Sequence, residues 1–270
     1  MRTFSLAVLV VLLLALTASA CTGVVIARDG RVLVGGNEDW ERWDSFLWAT
    51  AGSEDAYGVV YLGYEIRGEW GTRPPFWYEF HGLNDQDLYF DSFGAPCVTP
   101  TSTYANPWRG ERLMVDAMET CATVAEAVAL FESSNLTFMR CQQFLFVDRH
   151  GNAAVVEGDE TVWLDGEPFA VTNFYLSDPS LGGHPCWRYN RVTRMLAADS
   201  TPSIERITEL LEAASHSITR YSVVADLTND TLRLTYAQDF ERWAEVDLAT
   251  LWAVGGERVS ILELIDAANE

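Results

Sequence analysis

The stretch CTGVVIARDGRVLVGGNEDW, residues 21–40, constrains the fold of this chain most. Two β-rich runs flank Asp29-Gly30, a dipeptide that favours a two-residue hairpin turn. Such a turn pairs Arg28 with Arg31 and, counted back, sets Cys21 opposite Glu38, beside Asn37 and Asp39. Side chains alternate along a strand, so in a regular ladder Asp39 points away from the face that Cys21 occupies. Gly35-Gly36 offers a place for a bulge that re-aims the strand end.

The residues before this hairpin read as a secretory leader. Arg2 supplies a positive start, Leu6 to Leu16 is apolar, and Ala18-Ser19-Ala20 is a small-x-small cleavage site. The apolar run is shorter than the ~20 residues that span a bilayer. Residues 1–20 are therefore expected to be removed and the protein to be secreted or periplasmic, with Cys21 as the new N-terminus. Cys21 to Glu270 suffices for one large domain.

Composition removes several classes of function. The 270 residues contain no lysine, and the net charge is -21. Such a surface repels nucleic acid and anionic membranes. Without lysine there is no P-loop lysine, Schiff-base lysine or Ser-Lys dyad. The histidines (His81, His150, His184, His216) lie far apart without zinc-type spacing, so no metal is expected. Five cysteines in an exported chain leave one over. If Cys21 is free, the other four allow two bridges in any of three connectivities, or remain buried thiols.

Strand patterns also mark YGVVYLGY, DLYFDSF, and a hairpin turning near His150-Gly151-Asn152. ETVWLDG and PFAVTN read as short strands, and YSVVADL with TLRLTYA as a late hairpin. Thr123 and Glu126 fit a capping box. PCWRYNRVTRMLAA, SIERITELLEAA and Ser260 to Ala268 read as helices, the last after a terminal strand. RGEWGTRPPFWYEFHGLND reads as a long aromatic loop, and Trp70 to Tyr78 as a hint of an apolar acyl pocket. Strand runs, helix runs and strands again suggest packed antiparallel sheets covered by helices.

A cysteine at a trimmed N-terminus carries its own base. The thiol attacks as thiolate, and the α-amine, with a pKa of roughly 8 in peptides, accepts its proton. Export would unmask both groups. Position alone equally fits a lipid-modified cysteine of an anchored, non-catalytic binding module. Ala18-Ser19-Ala20, however, suits ordinary cleavage better than a lipobox, which usually carries leucine three places before the cysteine.

The opening hairpin resembles the mature start of N-terminal-nucleophile (Ntn) linear amide hydrolases: choloylglycine hydrolases, penicillin V acylases and isopenicillin-N acyltransferase-like proteins. The shared shape is Cys21-Thr22, a hairpin, then Gly35-Gly36-Asn37-Glu38-Asp39-Trp40. GLND looks like the family's Gly-Met-Asn-Glu element, VTNF its Thr-Asn element and CWRYNR its Arg-aromatic helix start, all in order. The resemblance implies a four-layer αββα sandwich, an α+β fold, and a cofactor-free cysteine amidohydrolase acting on small N-acyl amides. Acyl transfer through the same thioester is the alternative.

By the resemblance, Cys21 is nucleophile and, through its amine, proton acceptor and donor. Asp39 holds the terminal amine or thiol. Asn84 donates to the oxyanion, Asn173 completes the oxyanion or amine contacts, and Arg188 favours the thiolate. Each also has an ordinary reading: a strand-end cap for Asp39, a turn pair for Asn84-Asp85, a strand end for Asn173, a helix-surface charge for Arg188. Arg191 rivals Arg188. Two departures stand out. Gly36 occupies the place of an arginine in choloylglycine hydrolases, which leans toward the acyltransferase-like branch. Asp87 stands where the Gly-Met-Asn-Glu element is usually followed by glycine.

Overall fold

The structure is a computed structural model that describes residues 21–40, 44–66, 76–110 and 112–270. The proposed leader, residues 1–20, and most of the Trp70–Tyr78 stretch lie outside the described residues.

The first hairpin forms with the expected register. Strand β1 (Thr22–Arg28) pairs with β2 (Arg31–Asp39), Arg28 opposite Arg31 and Thr22 opposite Asn37. Asp29 and Gly30 both take positive φ, 53° and 75°, as the turn demands. The β1–β2 pairing runs without a register shift, so no bulge forms at Gly35-Gly36. Strand β2 also pairs with β11 (Thr219–Asp226), and there a shift does occur, between Thr219 and Tyr221, opposite the end of β2.

Strand β3 (Ser45–Thr50) precedes β4 (Val59–Ile66), β5 (Phe76–Asn84) and β6 (Tyr89–Gly94). The C-terminal half of the expected aromatic loop is thus a strand, β5, held between β4 and β6. Two helices follow, α1 (Arg112–Thr120) and α2 (Val124–Glu132), and Thr123 and Glu126 close the predicted capping box at the start of α2. Strands β7 (Gln142–Val147), β8 (Asn152–Val156) and β9 (Thr161–Asp165) extend the second sheet. Strand β10 (Phe169–Val171) returns to pair with β1. Helices α3 (Trp187–Ala198) and α4 (Ile204–Ala214) come before β11. The chain closes with β12 (Thr231–Tyr236), β13 (Asp239–Val246), α5 (Leu248–Val254), β14 (Gly256–Ser260) and α6 (Ile261–Ala268).

The strands form two antiparallel sheets, ordered β10-β1-β2-β11-β12-β13 and β14-β3-β4-β5-β6-β7-β8-β9. The alternation of each strand sorts its residues into layers. On β1 and β2, Val25, Val32 and Val34 enter the core between the sheets, while Val24, Ile26 and Leu33 pack against α3 and α4. On the far side, Tyr61, Phe90, Phe144 and Phe146 pack against α1 and α2. The layers run helix, sheet, sheet, helix, which is the expected αββα sandwich. Gly35 lets α4 lie directly on β2: a Cβ there would fall 2.3 Å from Ile207 Cγ2.

Cys97 and Cys141 form a disulfide, and Cys21, Cys121 and Cys186 are buried free thiols. Among the described residues no helix is long and apolar enough to cross a membrane.

Candidate active site

Cys21 sits at the head of β1 on the side that faces the opposite sheet. Its Sγ donates to Glu38 Oε2 at 3.4 Å, and both residues have no solvent exposure in the chain that carries residues 1–20. Tyr221 is the register partner of Glu38 on β11. Cys21, Glu38 and Tyr221 therefore form a row across three strands on the inward face. Burial pushes the Cys21 thiol well up, the Glu38, Asp39 and Asp91 charges push the same way, and a hydrogen bond from the Asp39 main chain opposes them. The Glu38 carboxyl is also raised well above its usual range, by burial first and then by Asp91 and Asp39.

A second set of contacts reaches the same residue from the helical side. Arg188 opens the buried stripe Arg188, Val192, Leu196 of α3, spaced one helical turn apart, so packing of α3 aims it at β1. Its Nη1 donates to the main-chain carbonyl of Cys21 and, at 2.8 Å, to Thr22 Oγ1. Its Nη2 donates to Asn173 Oδ1 at 2.9 Å. Asp39 also faces this side. It lies 3.8 Å from Arg188 Nη1, accepts from the Thr219 hydroxyl, and contacts His216 Nε2 at 3.0 Å.

The structure thus gathers Cys21, Asp39, Asn173 and Arg188 into one network and leaves Asn84 out. Three residues beyond His81 on β5, Asn84 faces the outer helices. Its Nδ2 donates to the carbonyls of Met118 and Cys121 at 2.9 and 2.8 Å, and its Oδ1 accepts from the main chain of Gln86 and Leu88. Its Oδ1 contacts are those of the turn reading, and its amide hydrogens are taken up at the end of α1, so Asn84 is not brought into the network around Cys21. The role expected of Arg188 also changes. It grips the carbonyl of Cys21 and not the thiol, which lies on the other face of the strand. Arg191, by contrast, is exposed. Asn173 Nδ2 donates to the Gly94 carbonyl at 2.9 Å.

Behind the Cys21–Glu38–Tyr221 row lies a buried polar group that sequence reasoning did not find. His81 and Asp91 are register partners on β5 and β6, 3.2 Å apart, and His81 Nδ1 is 2.8 Å from Tyr221 Oη. Gly36 makes room for them: a Cβ there would fall 2.6 Å from His81 Nε2 and 2.8 Å from Asp91 Oδ2. Glu38, Thr219 and His216 were also missed as members of the site. For Glu38 a signal existed, since the hairpin register already set it opposite Cys21. His81 was hidden by the reading of β5 as loop.

The fold is shared with solved amidases. Penicillin V acylase from Agrobacterium tumefaciens superposes with a TM-score of 0.62 at 16% identity, over 88% of this chain and 90% of that one. A variant of conjugated bile acid hydrolase from Clostridium perfringens gives 0.65 at 12% identity, over 89% and 96%. The N-acylethanolamine-hydrolyzing acid amidase ortholog of Caenorhabditis elegans gives 0.55 at 12% identity, over 77% and 93%. No family model matches the chain and no curated protein resembles it significantly in sequence. At these identities the likeness is one of fold.

Proposed function

We propose that this chain is an exported cysteine amidohydrolase, one domain from Cys21 to Glu270, which cleaves a linear amide outside a protein main chain. One observation carries the reading. In a fold shared with amide-cleaving proteins, Cys21 heads β1 with its sulfur on a carboxyl and its carbonyl in the grip of Arg188.

Removal of residues 1–20 frees an α-amine on the residue that bears the thiol. The sulfur attacks the amide carbonyl, the C–N bond breaks as the leaving nitrogen takes a proton from the α-ammonium, and a thioester remains. Water adds to the thioester and releases the acid. Arg188 fixes the main chain of Cys21, so the nucleophile does not swing with the chain end. Asp39 stands at the end of β2 as the charge partner of the ammonium, itself held by His216 and Thr219. Asn173, oriented through its Oδ1 by Arg188, takes the oxyanion side. A donor of that kind is worth about 10²–10³ in rate.

The test is turnover by the trimmed protein on a panel of N-acyl amides graded by acyl length and by aryl against alkyl acyl groups. Cys21→Ala abolishes turnover, and Cys21→Ser reduces it to a trace. Full activity in both variants rejects the reading, as does an intact mass that shows lipid on Cys21.

A further inference from the structure

A glutamine stands on β7 where the strand pattern calls for an apolar residue. Alternation along β7 puts Gln143 on the same face as Leu145 and Val147, which lie in the core between the sheets. Gln143 has no solvent exposure. A buried amide needs partners to offset its lost hydration. We propose that Gln143 is a positioning residue of the amidase, a clamp on the turn that carries Asn173, which sets one amide N–H of Asn173 against the oxyanion. This rests on the amidase reading above.

The turn has a defined shape. Just past β10, the Phe174 main-chain N–H donates to the Thr172 carbonyl at 2.9 Å, which closes a three-residue turn centred on Asn173. Thr172 and Phe174 are buried, and Asn173 between them is half-buried. Gln143 Nε2 donates to the carbonyls on both sides of Asn173, to Thr172 at 2.6 Å and to Phe174 at 3.2 Å. An amide nitrogen has two hydrogens, and these two carbonyls take both. Gln143 Oε1 is buried without a hydrogen-bond partner among the described residues. A side chain kept only to fill space would be apolar and leave no oxygen unpaired, so the donors are what this position retains.

The side chain of Asn173 is held separately. Arg188 Nη2 donates to its Oδ1, and its Nδ2 donates to the Gly94 carbonyl, each at 2.9 Å. Those contacts set the amide plane and use one of its two N–H groups. The other has no acceptor among the described residues, so it is the one left for a developing oxyanion. Gly94 ends β6 opposite Gln142 of β7, and the Cys97–Cys141 disulfide ties the two chains just beyond. One strand pair thus holds Asn173 twice, its side chain through β6 and its main chain through β7. Cys21 heads β1, and β10, which leads into the turn, is the neighbour of β1. The clamp therefore acts on the separation of donor and nucleophile.

The experiment is a double-mutant cycle on the trimmed protein, with steady-state kinetics on the N-acyl amide that the parent turns over fastest. It compares Gln143→Met, Asn173→Ala and the two together. Met keeps the length and removes both donors. A displacement of about 1 Å costs up to about 10²-fold, so Gln143→Met lowers kcat about 10–10²-fold. KM stays within threefold, because the oxyanion exists only in the transition state. Asn173→Ala lowers kcat about 10²–10³-fold. In that background Gln143→Met changes kcat by less than about twofold, since a clamp that acts through Asn173 has nothing left to hold. The same loss in both backgrounds is the mark of a packing role and overturns the proposal. A loss that falls on KM overturns it, as does a Gln143→Met kcat within twofold of the parent, and the amidase reading stands in either case. Asn173→Ala at parental turnover overturns it too, and Cys21→Ala then decides the amidase reading alone. If Gln143→Met does not fold, Gln143→Glu, of the same shape with at most one hydrogen to donate, carries the same cycle under the same criteria. A parent that turns over no amide overturns both readings.

Discussion

His216 Nε2 lies 3.0 Å from the Asp39 carboxylate across 177 residues of chain. His216 is about a quarter exposed, 27%, whereas Asp39 has no exposure, so the histidine is the solvent-side end of this contact. His216→Ala leaves one oxygen of a buried carboxylate short of a partner, at about 1–3 kcal/mol. Under the proposed mechanism the expected signature is a lower kcat with little change in KM, because Asp39 there pairs with the α-ammonium of Cys21 and does not bind the acyl group. Chemical denaturation and steady-state kinetics of the same preparation measure both.

Arg188 joins Cys21, Thr22 and Asn173 through two nitrogens of one planar group. Lysine offers a single ammonium and cannot serve acceptors that diverge in this way. Arg188→Lys therefore lowers turnover about 10²-fold with the fold intact. Arg188→Ala leaves Asp39 buried with a weakened cation set and costs about 3–5 kcal/mol. A lysine variant with parental turnover would remove Arg188 from the site.

Thiol chemistry should depend on trimming. In the chain that carries residues 1–20, Cys21 has no solvent exposure and its nitrogen is in a peptide bond. Untrimmed protein is expected to resist iodoacetamide at Cys21 and to hydrolyse nothing, and the trimmed protein to do both. A trimmed protein whose Cys21 stays inert under native conditions counts against any nucleophilic role.

Gly36 tests the departure from choloylglycine hydrolases directly. An arginine there would occupy the space of His81 and Asp91, so Gly36→Arg should cost about 3 kcal/mol or more and reduce soluble yield. Gly36→Ala, with its Cβ 2.6 Å from His81 Nε2, costs about 1–3 kcal/mol. Urea unfolding midpoints rank the two.

Stability should also respond to pH through Glu38 and Asp91. Both carboxyls are raised on folding, chiefly by burial. The native state then holds protons that the unfolded state has already lost. Stability is full below the ordinary carboxyl range and declines as pH climbs from there toward the raised values. Melting temperature should therefore fall between pH 5 and 8 in the parent, and fall less in Glu38→Gln. Parallel melting profiles for the two proteins would show that Glu38 ionises normally.

Much of the site was legible because it is built on a local hairpin. Asp29-Gly30 sets the register, and the register puts Glu38 opposite Cys21 and Asp39 on the other face. Arg188 was legible as part of a helix-start motif, while the buried stripe it opens with Val192 and Leu196 is seen in the fold. The misreadings have physical causes. Asn84 accepts within the β5–β6 turn through Oδ1 and donates to Met118 and Cys121 at the end of α1, and a short motif resemblance carries no sign of that distant pairing. β5 is aromatic-rich and follows directly on a stretch rich in glycine and proline, a composition that marks loops as readily as inner strands. His81 and His216 are far apart in sequence, and spacing rules see histidines only when they lie close together along the chain.

The sequence by itself determined the hairpin, its register, the cysteine at its head and the alternation that sorts each strand between core and helix layer. These follow from turn chemistry and a period of two, which act within a few residues. Tertiary structure decided which groups meet that cysteine. The sulfur points to one face of the strand and Arg188 reaches the Cys21 carbonyl from the other, so the other sheet and α3 had to be in place before either group met its neighbours. Such meetings depend on long-range packing of β5, β6, β11 and α3, and no local rule along the chain encodes them.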